Sequence, residues 1–111
     1  MAAENPGLDK EFLRNFNLPS NFFNYVDLLT SANILNSFKH YDDGIEFEIK
    51  AENVASNWNE EIGKKRVVRR LISEAVKISS QYAEVLIDKG VDSPGPRQME
   101  KEFNKWLGRS K

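Results

Sequence analysis

Apolar residues recur with a helical period most clearly between Gly63 and Gly90, in the stretch GKKRVVRRLISEAVKISSQYAEVLIDKG. Set at 100° intervals, Val67, Val68, Leu71, Ile72, Ala75, Ile78, Tyr82, Val85 and Leu86 share one broad face. The opposite face gathers Lys65, Arg66, Arg69, Arg70, Ser73, Lys77, Ser80 and Glu84, so its first two turns are strongly basic. The pattern predicts a long helix with one side against a core. Gly63 marks a helix break and Gly90 a C-terminal cap, because glycine tolerates the left-handed backbone such caps need.

Upstream, Asp9 is placed to cap a short helix whose buried side is Phe12, Leu13 and Phe16, and Leu18-Pro19 ends it. Ser20 is a suitable N-cap for a second helix carrying Phe22, Phe23, Val26 and Leu29. Residues 31–51 admit two interpretations. Ile34, Leu35, Phe38 and Tyr41 fit a helical stripe, whereas Asp42-Asp43-Gly44 has the form of a hairpin turn, and Ile45 to Lys50 alternate strictly between apolar and charged. A strand needs a pairing partner, and residues 35–41 are nearest, so a two-stranded hairpin is expected here. The alternative is a third helix, with Ile45–Lys50 pairing across a dimer interface. Val54, Ala55, Trp58 and Ile62 form a further short stripe, but Trp58 and Ile62 fall off the apolar face of the long helix, which predicts a bend near Gly63. Ser93-Pro94-Gly95-Pro96 reads as a connector, and Pro96 suits the first turn of a last helix in which Met99, Phe103, Trp106 and Leu107 share a side.

The expected fold is therefore α+β and helix-dominated, in the order α-α-β-β-α-α, with one long central helix packed on a small hairpin; an all-α bundle is the alternative. Residues 1–8 read as a disordered tail, with Asn5-Pro6-Gly7 as its punctuation, and 9–111 as a single globular domain. A chain of 111 residues buries roughly 65% of its unfolded surface, enough for one core.

Composition changes this picture in three respects. There is no cysteine, which excludes disulfides and thiolate metal sites. No run approaches a membrane span, and MAAENPGLDK lacks the features of a secretory signal, so an intracellular, cytoplasmic and soluble protein is expected. The net charge of −1 conceals an asymmetry: residues 1–62 carry a net −7 and residues 63–111 a net +6. Such polarity suits an anionic partner, or two halves that attract one another within a fold or a dimer.

Three clusters bear on function. Lys64, Lys65, Arg66, Arg69 and Arg70 place five cations within seven residues, a pattern that suits phosphate contacts to nucleic acid or an acidic partner. The plainer alternative is a solvated face, with Glu60–Lys64, Glu61–Lys65 and Arg70–Glu74 at helical pairing distance and only Arg66 and Arg69 lacking such a partner. Met99, Phe103 and Trp106 have the anchor spacing of a helix laid into a partner's groove, or of one packed on its own core. His40 with Asp42 and Asp43 is the sole cluster resembling a metal or acid–base group, and adjacent residues on a tight turn rarely converge on one ion. Glu46 and Glu48, on one face of the expected strand, serve solubility more simply than catalysis. No phosphate-binding glycine loop, nucleophile elbow, helix-turn-helix or zinc-finger pattern is present.

These features indicate a small non-enzymatic protein-interaction, regulatory or assembly module that acts through helical surfaces on another protein or on a second copy of itself. A nucleic-acid-binding protein using the basic face of the long helix is the alternative. No catalytic residue, metal, cofactor, small-molecule substrate or membrane partner is expected.

Overall fold

In the computed structural model, residues 10–15, 18–19 and 21–108 are described, apart from the side chains of Lys10, Asn15, Trp106 and Leu107. The expected tail, the Asp9 and Ser20 caps, Phe16, and the Trp106 and Leu107 side chains lie outside the described residues. The chain forms α1 (Lys10–Asn15), α2 (Phe22–Ser37), α3 (Tyr41–Ala55), α4 (Trp58–Ile62), α5 (Lys65–Lys89) and α6 (Pro96–Leu107). Among the described residues there is no strand, so the α+β fold and its hairpin are overturned in favour of an all-helical one.

The turn expected at Asp42-Asp43-Gly44 lies earlier, at Phe38–His40, where α2 ends. The amide of His40 donates to the Leu35 carbonyl (2.8 Å) and that of Lys39 to Asn36 (3.0 Å), while Lys39 takes a left-handed φ of 66°. This is the Schellman arrangement with lysine where glycine is usual, so sequence punctuation does not announce it. Asp42 and Asp43 then fall in the first turn of α3, where negative charge complements the helix dipole. The alternation that suggests a strand is built from Ile and Phe set between Glu46, Glu48 and Lys50, and with Ala51 and Glu52 following, good helix formers make up more than half of residues 45–52.

The structural hub is α2 rather than the long helix: it packs against α3, α5 and α6. Contact on several sides explains why its buried residues, Phe22, Phe23, Tyr25, Val26, Thr30, Ala32 and Ile34, spread around the helix instead of forming one stripe. The Thr30 hydroxyl is satisfied within the helix, donating to the Val26 carbonyl at 2.7 Å. Toward α6, the Phe23 and Phe103 rings meet edge-on at 5.1 Å between centroids, and Met99 is fully buried. Toward α4, the Trp58 ring stacks on Phe22 and lies 5.0 Å from Tyr25, and its Nε1–H donates to Asn21 Oδ1 at 2.8 Å. Asn21 also donates to the Val54 carbonyl at 3.4 Å, which ties the starts of α2 and α4 to the end of α3.

Gly63 (φ 77°) separates α4 from α5, and Gly90 (φ 69°) closes α5, at the two positions where glycine punctuation is expected. The buried side of α5 includes Val68, Leu71, Ala75, Ile78 and Leu86, much as its periodicity predicts, while Val85 stays half exposed. Glu74 departs from the pattern: it is buried beside the apolar face, with Lys77 Nζ at 3.5 Å. Beyond Gly90, Ser93 donates to the Asp27 carboxylate, fastening the α5–α6 connector to α2.

The helices also set an alkaline limit to stability. Burial, then the Glu102 charge and the hydrogen bond from Tyr82 to Glu102 (3.2 Å), push the Tyr82 phenol well above its ordinary pKa of 10.0. Burial, with Glu52 nearby, raises Tyr25 too. In the unfolded chain these phenols lose their protons first, so the stability they contribute is fully present below about pH 10 and is lost as pH rises above it. Urea unfolding followed from pH 8 to 11 (on the order of the phenol range) will show this decline, and it will be shallower in Tyr82→Phe.

Candidate interaction surfaces

The basic cluster lies where α5 begins. Lys64 occupies the N-cap with extended backbone (φ −137°, ψ 107°), and Lys65 and Arg66 form the first helical positions. The side chains of Lys64, Lys65, Arg66, Arg69 and Arg70 are all exposed. Among the described residues, Lys64, Lys65, Arg66 and Arg69 make no ion pair; the left-handed Gly63 interrupts the helix on which Glu60–Lys64 and Glu61–Lys65 pairing depends. Arg70 sits over the Phe12 ring, 4.5 Å from its centroid, which ties α1 to α5 through a cation–π contact. The acidic α3 packs on α2 and leaves this basic end of α5 uncovered.

Electrostatically, this helix start is unfavourable to itself. No side chain caps it, no acidic residue lies in its first turn, and its cations stand at the positive end of the dipole. Lys64→Asp would supply an N-cap acceptor on a backbone already suited to one and remove one repulsion. Urea unfolding will show it more stable than wild type by about 1 kcal/mol.

The candidate anchors Met99 and Phe103 are 0% and 4% exposed, placed in the main core rather than at the surface. The described face of α6 that meets solvent is polar, with Arg97, Gln98, Glu100 and Lys101. His40, Asp42 and Asp43 are exposed around the start of α3, and no group of three or more potential metal ligands converges among the described residues. As helical residues two positions apart, Glu46 and Glu48 point about 200° apart rather than sharing a strand face. Among the described residues no helix is long and apolar enough to cross a membrane.

Sequence reasoning missed the surface that α3 presents. Towards α2 this helix turns small residues: Gly44 and Ala51 are its buried positions. A Cβ on Gly44 would lie 2.1 Å from Asn36 Oδ1, so glycine brings the two backbones close together. Three large apolar residues lie to one side of that face and are left to solvent, while Phe47 is partly covered. Tyr41, Ile45 and Ile49, spaced by four, are 56%, 51% and 52% exposed, and Phe38, at the end of α2, is 58% exposed. Glu48 and Glu52, three positions beyond Ile45 and Ile49, flank this stripe, and α3 as a whole carries five carboxylates against the single cation Lys50. Lys50 lies over the Phe47 ring on its own helix, 5.1 Å from the centroid. The signal for this surface was the spacing 41, 45, 49, which a strand interpretation divides between a turn and a hairpin arm.

Compared with protein families, curated proteins and solved structures, the chain matches none.

Proposed function

We propose that this chain is a small protein-interaction module and that the outer face of α3 is its principal contact surface. The observation behind this is the inverted distribution on α3, with Gly44 and Ala51 turned inward and Tyr41, Ile45 and Ile49 turned outward. Folding alone favours the reverse, since an isoleucine side chain kept in water forgoes much of the roughly 1.5–3 kcal/mol its burial contributes. Contiguous apolar surface of this kind is characteristic of a face that another macromolecule covers. A photo-crosslinking residue placed at Ile45 will give a discrete, saturable adduct in cells, while one at Glu84, on the exposed polar face of α5, will not. Equal, diffuse labelling from both positions would count against the proposal.

A second possibility, nucleic-acid binding, draws on the exposed Lys65, Arg66 and Arg69, which make no ion pair among the described residues. It predicts binding to labelled DNA or RNA that weakens steeply between two salt concentrations and is lost in Arg66→Glu/Arg69→Glu. No binding at low salt would remove it.

A further inference from the structure

On the proposal that α3 is a contact surface, we infer that its partner is a cationic amphipathic helix, with an apolar ridge flanked by Lys or Arg. The argument rests on what accompanies the apolar stripe. Ile45 and Ile49 give two anchor points one helical turn apart, and Tyr41 extends the row by another turn. A row of this kind is complemented by the ridge of another helix, whose own anchors repeat every three or four residues. Glu48, whose carboxylate also accepts a hydrogen bond from Asn36 Nδ2 at 3.1 Å, and Glu52 lie beside that row, with Asp42 at its start, and all three are exposed. A docking helix brings its flanks within a few ångströms of these carboxylates, so positive flanks are attracted and negative ones repelled.

Other occupants fit less well. Two α3 helices meeting face to face would bring Asp42, Glu48 and Glu52 of one copy against the same three carboxylates of the other, with no cation on that face to relieve them. The basic start of α5 from a second copy complements the charge, but its exposed residues Lys65, Arg66, Arg69 and Ser73 offer no apolar ridge for Ile45 and Ile49. An anionic lipid surface would be repelled by the carboxylates that border the stripe.

The test uses the full chain and two designed peptides of about 18 residues, long enough for stable helical turns. Both carry leucine at i, i+3, i+4 and i+7; one is flanked by Lys and Arg, its twin by Glu. The cationic peptide will bind by isothermal titration, more weakly at higher salt. Ile45→Ser/Ile49→Ser will weaken it by about tenfold or more, as loss of two half-buried contacts implies. Glu48→Gln/Glu52→Gln, which leaves the apolar row intact, will flatten the salt dependence. Thermal melting monitors the fold of each variant.

If the Glu-flanked twin binds as well as the cationic peptide and both depend on Ile45 and Ile49, the surface stands and the cationic partner is overturned. If neither peptide binds, both the inference and the proposed role of α3 are overturned. Binding of the cationic peptide that ignores both variants would be general charge attraction and would overturn the inference. Self-association abolished by Ile45→Ser/Ile49→Ser would make a second copy the occupant and overturn it as well.

Discussion

Trp58→Ala will cost about 3–5 kcal/mol of folding stability, the range for removing a fully buried aromatic side chain. The Trp58 side chain is entirely buried and meets the rings of Phe22 and Tyr25 while its Nε1–H reaches Asn21 Oδ1. Truncation therefore opens a cavity beneath α2 and leaves a polar acceptor without its donor. Trp58→Phe separates these contributions: most ring packing is retained, the hydrogen bond is lost, and the expected cost falls to about 1–3 kcal/mol. Urea denaturation followed by far-ultraviolet circular dichroism measures both variants against wild type. Since small domains are stable by only about 5–15 kcal/mol, the alanine variant stands near the edge of folding. A loss below about 1 kcal/mol would show that α4 is peripheral to the core.

Phe103→Ala is the second large effect, also about 3–5 kcal/mol. Phe103 meets Phe23 at 5.1 Å and Phe22 at 6.4 Å, and with Met99 it anchors α6 on the core. The variant also tests whether the last helix can detach. If α6 is held chiefly by these anchors, limited proteolysis will cleave the connector at residues 91–95 faster in Phe103→Ala, before the remaining helices unfold. Unchanged stability and unchanged proteolysis would show that Phe103 does not anchor α6 to the core. Both side chains meet Phe22, so the two variants test how α4 and α6 are held on the same aromatic cluster of α2.

Much of the helical framework is legible in the sequence because its boundaries are set by residues with few conformational choices. Gly63 and Gly90 adopt the left-handed backbone expected of them, and Pro96 opens α6. Long periodicity makes α5 legible too, since its apolar face must be buried over many turns. The failure at α3 has a specific cause. Its preceding turn relies on Lys39, whose left-handed φ has no glycine to signal it, while the glycine that is present, Gly44, serves close helix packing. Periodicity also assumes that apolar residues face inward; on α3, Tyr41, Ile45 and Ile49 face outward, so the inference misplaces them.

The candidate surfaces divide in the same way. The exposure of Lys65, Arg66, Arg69 and Arg70 follows from their position opposite the α5 core face, whereas Lys64 is exposed as the extended N-cap. The placement of Met99 and Phe103 in the core depends on distant partners in α2, which spacing within α6 does not reveal. Trp58 pairs with Asn21, thirty-seven residues away, an association that becomes visible only once α2 and α4 meet. The α2 hub was likewise concealed, because a helix contacted on several sides has no single apolar stripe to announce it.

The most direct measurement is thiol reactivity along α3, made clean by the absence of any native cysteine. Single variants Ile45→Cys, Ile49→Cys and Ala51→Cys would be labelled with a soluble maleimide under native conditions over a range of protein concentrations. An uncovered outer face predicts rapid labelling at 45 and 49, independent of concentration, and slow labelling at 51, the buried position towards α2. Protection of 45 and 49 to the level of 51 in the purified chain would contradict it, showing that this face is already covered.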